Sequence, residues 1–196
     1  MMDLSSIEKA DVLRGITKED LAELGAIASE QEFARSDRLF RRGEEARDFY
    51  ITTRGQFALT VGLRYLDGYV EMAVEEIGAL DAFGWSSLVE PRTSIYSGYC
   101  IEAGAVVAFP RKRLEALLTS NRRLGEEFLH NLNELIGTRV RALQQLWLDE
   151  VSLTTARVRY WTHTEITNHW ATAMDPDSGR PVRHWIREHT HLGTED

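Results

Sequence analysis

The spacing of hydrophobic positions changes twice along this chain. Residues 4–30 carry apolar side chains at helical intervals, with Thr17 as a candidate N-cap and Asp20 three residues after it. Between residues 31 and 109, short apolar runs of strand length alternate with turn signals. Helical spacing returns after Pro110. This order predicts a mainly β protein, a jelly roll or closed barrel of about eight short strands flanked by helices.

Turn signals mark the ends of the predicted strands. Arg54-Gly55 and Asp67-Gly68 each follow one apolar run and precede another, so both pairs are predicted to be turns between strands. The run Ser94-Ile95-Tyr96 is predicted to be a short strand of its own.

Residues 122–149 predict one long amphipathic helix. Its apolar residues recur mostly three and four positions apart, close to the heptad spacing of paired helices. A helix with such a stripe needs a covering surface, which can be its own barrel, a second copy of the chain, or both. A homodimer through this helix is expected, and the residues assigned to it are Leu132, Leu135, Ile136, Val140, Leu143 and Trp147.

Composition and charge narrow the function classes. The chain has 196 residues, 43% hydrophobic and 28% charged, which suits a globular protein with an ordinary core. Its formal net charge of −8 disfavours nucleic acid as a partner, because affinity for DNA and RNA comes mostly from neutralising phosphates. Cys100 is the single cysteine, so no intrachain disulfide is possible. No apolar run is long enough for a bilayer and no signal peptide is recognisable, so a cytoplasmic location is expected.

The segment Phe83–Ser94 has the composition of an anion cradle. Gly84 lets the backbone approach a ligand closely, and amides at the start of a short helix can point at an anion. Arg92 can pair with phosphate through two parallel hydrogen bonds, and the Thr93 hydroxyl can add another. The residues assigned to ligand binding are Gly84, Trp85, Ser86, Ser87, Arg92 and Thr93.

This segment resembles the phosphate-binding cassette of the cyclic nucleotide-binding domain family, which runs Phe-Gly-Glu, apolar residues, then Pro-Arg and small or hydroxyl residues. Gly43 and Gly55 match earlier landmarks of that family, and the resemblance covers roughly residues 8–150. It implies a jelly roll with N-terminal helices and a long C-terminal helix, as in the sensor domain of catabolite-activator-like regulators. It also implies that Arg92 holds the phosphate of cyclic AMP, cyclic GMP or another phosphorylated ligand, and that Thr138 contacts the base.

The cassette departs from the family pattern at Trp85 and in its length. The family has a glutamate there, which accepts a hydrogen bond from the ribose 2′-hydroxyl, whereas an indole offers only an N–H donor. Loss of that acceptor costs about 1–3 kcal/mol of binding. The loop from Gly84 to Arg92 is also shorter than in typical nucleotide binders. Two interpretations follow: either Arg92 binds a cyclic nucleotide or another anion, or Trp85 fills the sugar site and Arg92 pairs with an internal acid.

Residues 151–196 differ in composition from the rest. They hold three tryptophans and five of the six histidines, and their five arginines are balanced by six acidic residues. No winged helix-turn-helix of the kind found in catabolite-activator-like regulators is recognisable in these 46 residues. The histidine spacing fits no standard zinc motif, so no metal is expected. Tryptophan is common at protein interfaces, which favours a tail that packs on the barrel or on the second copy of the dimer, or docks another protein.

No catalytic residue is predicted. Residues 31–109 contain no histidine for a cupin-like metal site, and Ser86-Ser87 has no identifiable base. The chain is predicted to be a non-catalytic regulatory or scaffolding protein, with residues 1–150 as a cyclic-nucleotide-binding-like domain and 151–196 as a helical tail. It either senses a cyclic nucleotide or another anion through Arg92, or acts as a ligand-independent interaction module. The alternative is a catabolite-activator-like transcriptional regulator with a truncated or atypical DNA-binding region.

Overall fold

The computed structural model describes residues 2–65 and 68–157. Its helices are α1 at Lys18–Ile27, α2 at Arg111–Ser120 and α3 at Arg122–Arg157. Its strands are β1 at Ser29–Phe33, β2 at Arg38–Phe40, β3 at Asp48–Tyr65, β4 at Gly68–Ile77, β5 at Ala82–Phe83 and β6 at Ser97–Pro110. Short 3-10 turns lie at Asp11–Leu13 and Trp85–Ser87. The predicted order of helix, strands and long helix is confirmed.

The named strands join one antiparallel sheet. The hydrogen-bonded order is β1-β6-β3-β4, while β2 also pairs with β6 and β5 pairs with β3. The two longest strands, β3 and β6, pair from Asp48↔Pro110 to Thr60↔Ser97. Strand β3 then continues in a hairpin with β4 as far as Tyr65↔Gly68. Together with the flanking helices, this sheet confirms the predicted jelly roll.

Strand β3 is longer than the sequence predicts. Arg54-Gly55, predicted to be a turn, lies inside β3, where the register with β6 shifts on both sides of Arg54. Gly55 has φ +81°, and a Cβ there would lie 2.5 Å from the Cα of Gly104 in β6. The glycine therefore permits a bulge that bends β3 against β6 without ending the strand. The predicted strand at 94–96 is also wrong, because β6 begins only at Ser97.

The centre of the sheet is buried on both faces, which explains the unbroken apolar run at residues 105–109 of β6. On β3, Phe49 and Ile51 belong to a helix-side core and Tyr50, between them, belongs to an aromatic core. The helix-side core takes residues from all three helices, namely Leu24, Leu114, Leu124, Phe128 and Leu132. The aromatic core holds Tyr50, Phe57 and Phe83, with Phe33 and Phe40 packed against it. Each fully buried large side chain stabilises the fold by about 1.5–3 kcal/mol.

The start of α1 is fixed by the predicted capping residue. Thr17 Oγ1 accepts a hydrogen bond from the Asp20 amide at 3.3 Å, and its hydroxyl donates to the Asp20 carboxylate at 2.9 Å. The buried carboxylate also accepts a hydrogen bond from Asn121 Nδ2 at 2.9 Å and pairs with Arg123. The cap is therefore confirmed, and Asp20 connects α1 with the first turn of α3.

Helix α3 begins where the sequence predicts but continues to Arg157. The chain divides after Arg139 into two units, Met1–Arg139 and Val140–Asp196. Residues 158–196 of the predicted tail lie outside the described residues. Among the helices that the structure describes, none combines the length and the hydropathy that a bilayer span requires.

The apolar residues of α3 do not all have the environment that the sequence assigns to them. Leu132, assigned to a dimer contact, is instead buried in the helix-side core, with 3% of its surface exposed, because this turn of α3 packs on its own unit. Leu135 and Ile136 pack against the same core. Val140 and Leu143 are exposed, and the side chain of Trp147 lies outside the description.

Candidate functional site

The cassette begins with a tight turn that depends on glycine. Gly84 has φ +78° and caps the 3-10 turn Trp85–Ser87. A Cβ at Gly84 would lie 2.9 Å from the carbonyl oxygen of Asp48 and 2.9 Å from the Tyr50 ring. The Ser87 amide donates to the Gly84 carbonyl at 3.0 Å, so it serves the turn and is not directed at a ligand. The cassette backbone at Gly84 therefore packs against β3 with no room for a side chain.

Stacked aromatic rings fill the space beneath Gly84. The ring centroids of Tyr50 and Phe83 lie 5.1 Å apart, and those of Phe40 and Tyr50 lie 5.8 Å apart. The cavity left between Phe40, Tyr50, Gly84 and Ser86 measures about 10 Å³. That volume is roughly what one water molecule needs, whereas small-molecule sites measure about 300–1,000 Å³. A nucleotide does not fit there unless the rings move.

Two polar side chains at this cavity, Tyr50 and Asp48, pair with each other. The Tyr50 hydroxyl donates to the Asp48 carboxylate at 3.4 Å. Burial raises the pKa of the Tyr50 phenol far above its ordinary value, and the neighbouring Asp48 carboxylate raises it further. Burial also raises the pKa of Asp48, although the hydrogen bond from Tyr50 opposes that shift. Tyr50 therefore remains a neutral donor that is already engaged.

Arg92 is held by two glutamates of its own chain. Its Nη2 lies 3.0 Å from Oε1 of Glu115 on α2, and its Nε lies 3.3 Å from Oε1 of Glu90. The second contact is close enough for an ion pair but is not aligned as a hydrogen bond, so the buried Nε has no acceptor among the described residues. The guanidinium that the sequence assigns to a ligand phosphate is thus engaged by internal carboxylates.

Trp85 and Thr93 contribute to the site in different ways. Trp85 packs against the helix-side core and lines an open cleft that the cassette forms with the turn after β2. Thr93 Oγ1 donates to the Pro91 carbonyl at 3.4 Å, and the Thr93 backbone forms a bridge with Glu45. The rings that line the small cavity beneath Gly84 are therefore those of Tyr50 and Phe40, and Trp85 lines the open cleft instead.

The helix position assigned to the base is next to an internal ion pair. Thr138 is exposed on α3, and the following residue, Arg139, places its Nε 2.6 Å from Oε1 of Glu75 on β4. These two side chains are 15% and 30% exposed. Burial raises the pKa of Glu75, and the charge of Arg139 only partly offsets that effect. The ion pair between Arg139 and Glu75 therefore joins α3 to the edge strand β4.

Comparison with known proteins identifies the barrel. Residues 30–121, which run from β1 to the end of α2, match the sequence profile of the cyclic nucleotide-binding domain. These residues belong to the cyclic nucleotide-binding domain family. The matched segment includes the whole cassette and both glutamates that hold Arg92. No match was found among curated protein sequences.

Solved structures with this fold include isolated domains and a catabolite activator protein. A cyclic nucleotide-binding domain from Methylobacillus flagellatus has a TM-score of 0.64 at 18% identity, over 75% of this chain and 81% of that one. The N-terminal domain of a transcriptional regulator from Streptomyces coelicolor has a TM-score of 0.58 at 22% identity, over 70% and 94%. The catabolite activator protein of Thermus thermophilus has a TM-score of 0.59 at 24% identity, over 72% and 63%. At these identities the likeness is one of fold.

Sequence reasoning located the cassette but not the groups that engage it. An internal acid for Arg92 is one of the two predicted interpretations, yet nothing in the sequence distinguishes Glu115 from the solvated charges of an amphipathic helix. Tyr50 carried a weak signal, because in the sequence a residue with a hydroxyl stands between two apolar residues of a predicted strand, Phe49 and Ile51. A buried hydroxyl needs a partner, and Asp48 two residues earlier provides it.

Proposed function

We propose that this protein is a non-catalytic regulatory module whose cyclic nucleotide-binding domain operates without a cyclic nucleotide in the cassette. The observation that carries this proposal is the pairing of Arg92 with Glu115 and Glu90 at 3.0 and 3.3 Å. A cyclic phosphate carries one negative charge. It would compete with two carboxylates that already lie beside this cation, so it gains less than it would from an unpaired arginine.

Two further features support this proposal at other parts of the nucleotide. The space beneath Gly84 measures about 10 Å³, so the aromatic core would have to open to admit a base or a sugar. Trp85 lacks the acceptor that a ribose hydroxyl requires. Binding of the phosphate is opposed by the carboxylates at Arg92, entry of the nucleotide by the stacked rings, and binding of the ribose by Trp85. No single substitution removes all three obstacles.

Calorimetry with the full chain tests the proposal. Titration with cyclic AMP and with cyclic GMP up to millimolar concentration is expected to give only heats of dilution. Saturable heat that Arg92→Ala removes, and that Arg122→Ala on the exposed start of α3 leaves intact, would show that the cassette binds nucleotide and that the proposal is wrong.

We further propose that the module acts as a homodimer through α3. Val140, Leu143 and Leu148 expose 45%, 42% and 50% of their surfaces. Their spacing puts them on one side of a helix. Exposure of such an apolar stripe to water is unfavourable, and an exposed apolar patch of this kind marks an association surface. The proposal that residues 151–196 dock a protein partner rests on their tryptophans alone, since most of this tail lies outside the described residues.

A further inference from the structure

An open cleft lined largely by the cassette itself has the properties of a small-molecule site. Its volume is about 330 Å³, at the lower end of the range of about 300–1,000 Å³ for small-molecule sites. The wall is mostly apolar and includes Trp85, Val89, Pro91 and Ile95. Val89 and Ile95 are 44% and 46% exposed, which leaves apolar surface available to a ligand.

One cation in this wall has no counter-ion. Arg42 lines the cleft, and among the described residues its guanidinium makes no hydrogen bond or ion pair. Glu90 is the acid in the same wall, and its carboxylate lies 3.3 Å from Arg92, which it shares with Glu115, and does not contact Arg42. The cleft therefore presents a guanidinium that no described carboxylate contacts, beside an apolar surface.

The backbone that carries Arg42 is fixed in place. The Arg42 amide donates to Ser97 Oγ at 3.1 Å, and the Gly43 amide donates to the Ser94 carbonyl at 2.8 Å. These bonds tie the turn after β2 to the residues that enter β6, next to the end of the cassette. The guanidinium thus extends from an ordered support, which lowers the entropy cost of pairing with a ligand.

We propose that this cleft binds small organic anions with an apolar body, such as aryl or branched-alkyl carboxylates and phosphate monoesters. The anionic group pairs with Arg42, whose planar guanidinium suits both carboxylate and phosphate. The body lies against Trp85 and Ile95, where burial of apolar surface adds affinity. A simple anion lacks the apolar contact and a neutral apolar molecule lacks the charge, so both bind more weakly. Trp85, which removes the ribose acceptor from the cassette, supplies part of this wall.

Amide NMR of the full chain tests the site with defined probes. Phenylacetate and phenyl phosphate represent the two anion types. Inorganic phosphate has the charge without the apolar body, and benzyl alcohol has the apolar body without the charge. At least one aryl anion is expected to give saturable shifts at the amides of residues 85–95, with a Kd at least tenfold below those of inorganic phosphate and benzyl alcohol. Which aryl anion binds more tightly distinguishes a carboxylate site from a phosphate-ester site.

Matched variants connect the binding to this cleft. Arg42→Gln is expected to weaken the aryl anion at least tenfold, whereas Arg41→Gln, an exposed neighbour outside the wall, changes it less than twofold. Ile95→Asp adds a carboxylate to the wall and is expected to abolish binding. Absence of saturable shifts, equal losses from both arginine variants, or equal affinity for inorganic phosphate would overturn the proposal. The probes contain no nucleotide, so this outcome is independent of the titrations with cyclic AMP and cyclic GMP.

Discussion

Left-handed backbone conformations occur at several residues that shape the site. Gly84 takes this conformation freely, but Leu80 and Arg92 take it with a side chain, at φ +70° and +59°. Hydrogen bonds hold both, since the Leu80 amide donates to the Thr52 carbonyl at 2.8 Å and the Arg92 amide to the Val89 carbonyl at 2.9 Å. Strain of about 1–3 kcal/mol per residue persists only where the surroundings determine the backbone. The conformation of Arg92 is thus part of how the cassette directs its guanidinium.

Gly55→Ala is expected to destabilise the fold by about 3 kcal/mol, because left-handed strain adds to a clash with the opposing strand. An added Cβ would meet Gly104 Cα at 2.5 Å and the Glu102 carbonyl oxygen at 2.7 Å. Gly43→Ala is the matched control, since Gly43 has φ +84° but no atom within 4 Å of the added Cβ. Its expected cost is about 1 kcal/mol. Urea unfolding of both variants measures the difference, and equal costs would mean that the bulge accommodates a side chain.

At the scale of elements, α1 and α3 are joined through one buried carboxylate. Burial alone would raise the pKa of Asp20, but hydrogen bonds from Thr17 and Asn121 and the charge of Arg123 hold it below its ordinary value. A lowered folded pKa means that Asp20 stabilises the protein above its unfolded pKa of 3.8, and that this contribution is lost as pH falls through the folded value.

Asp20→Asn is therefore expected to cost about 2 kcal/mol at pH 7, with a loss that shrinks on acidification. The difference in unfolding free energy between wild type and variant should be constant above roughly pH 5 and narrow below pH 4. Glu19→Gln, an exposed acid in the same helical turn, should cost a few tenths of a kcal/mol at most. Chemical unfolding across pH 3–7 gives both curves, and a loss independent of pH would contradict the ion-pair account.

The elements were predictable where local signals define them. Thr17, as an N-cap residue, predicts the start of α1, and Pro110 predicts the change from strand to helix. The length of β3 was not predictable, because a glycine in a bulge and a glycine in a turn look alike until the partner strand is known. The pairing of Arg92 with Glu115 is likewise tertiary, since α2 reaches the cassette only when it packs on the barrel. Local chemistry thus identified the cassette, and long-range packing determines what its arginine contacts.

Leu143→Glu is expected to convert a dimer to a monomer in sedimentation equilibrium. A carboxylate at an exposed apolar position of α3 would have to be buried without a partner in the dimer contact. Ala142→Glu is the control, because this exposed neighbour lies on another side of the helix. A wild-type monomer at micromolar concentration, or equal dissociation by both substitutions, would contradict the dimer proposal.

At the scale of the whole molecule, the cores determine which part of the chain can fold alone. Among the residues whose side chains the structure describes, all members of the helix-side core and the aromatic core lie between Met2 and Ile136. Both cores, the cassette and the Arg42 cleft therefore belong to the first unit, Met1–Arg139. Folding and ligand chemistry are properties of this unit, and the exposed stripe from Val140 onward is available for association.

A fragment that ends at Gln145 is therefore expected to fold. It keeps every buried side chain of both cores, so its thermal unfolding should be cooperative, with a Tm within about 5 °C of the full chain at the same low concentration. A fragment that ends at Asn121 is the counterpart, because it removes Leu124, Phe128 and Leu132, which are 0%, 1% and 3% exposed. Loss of three such residues removes most or all of the unfolding free energy of a typical domain, which is about 5–15 kcal/mol. Calorimetry should show no cooperative transition for this shorter fragment. A non-cooperative melt of the longer fragment would instead show that residues beyond 145 are needed to complete the core.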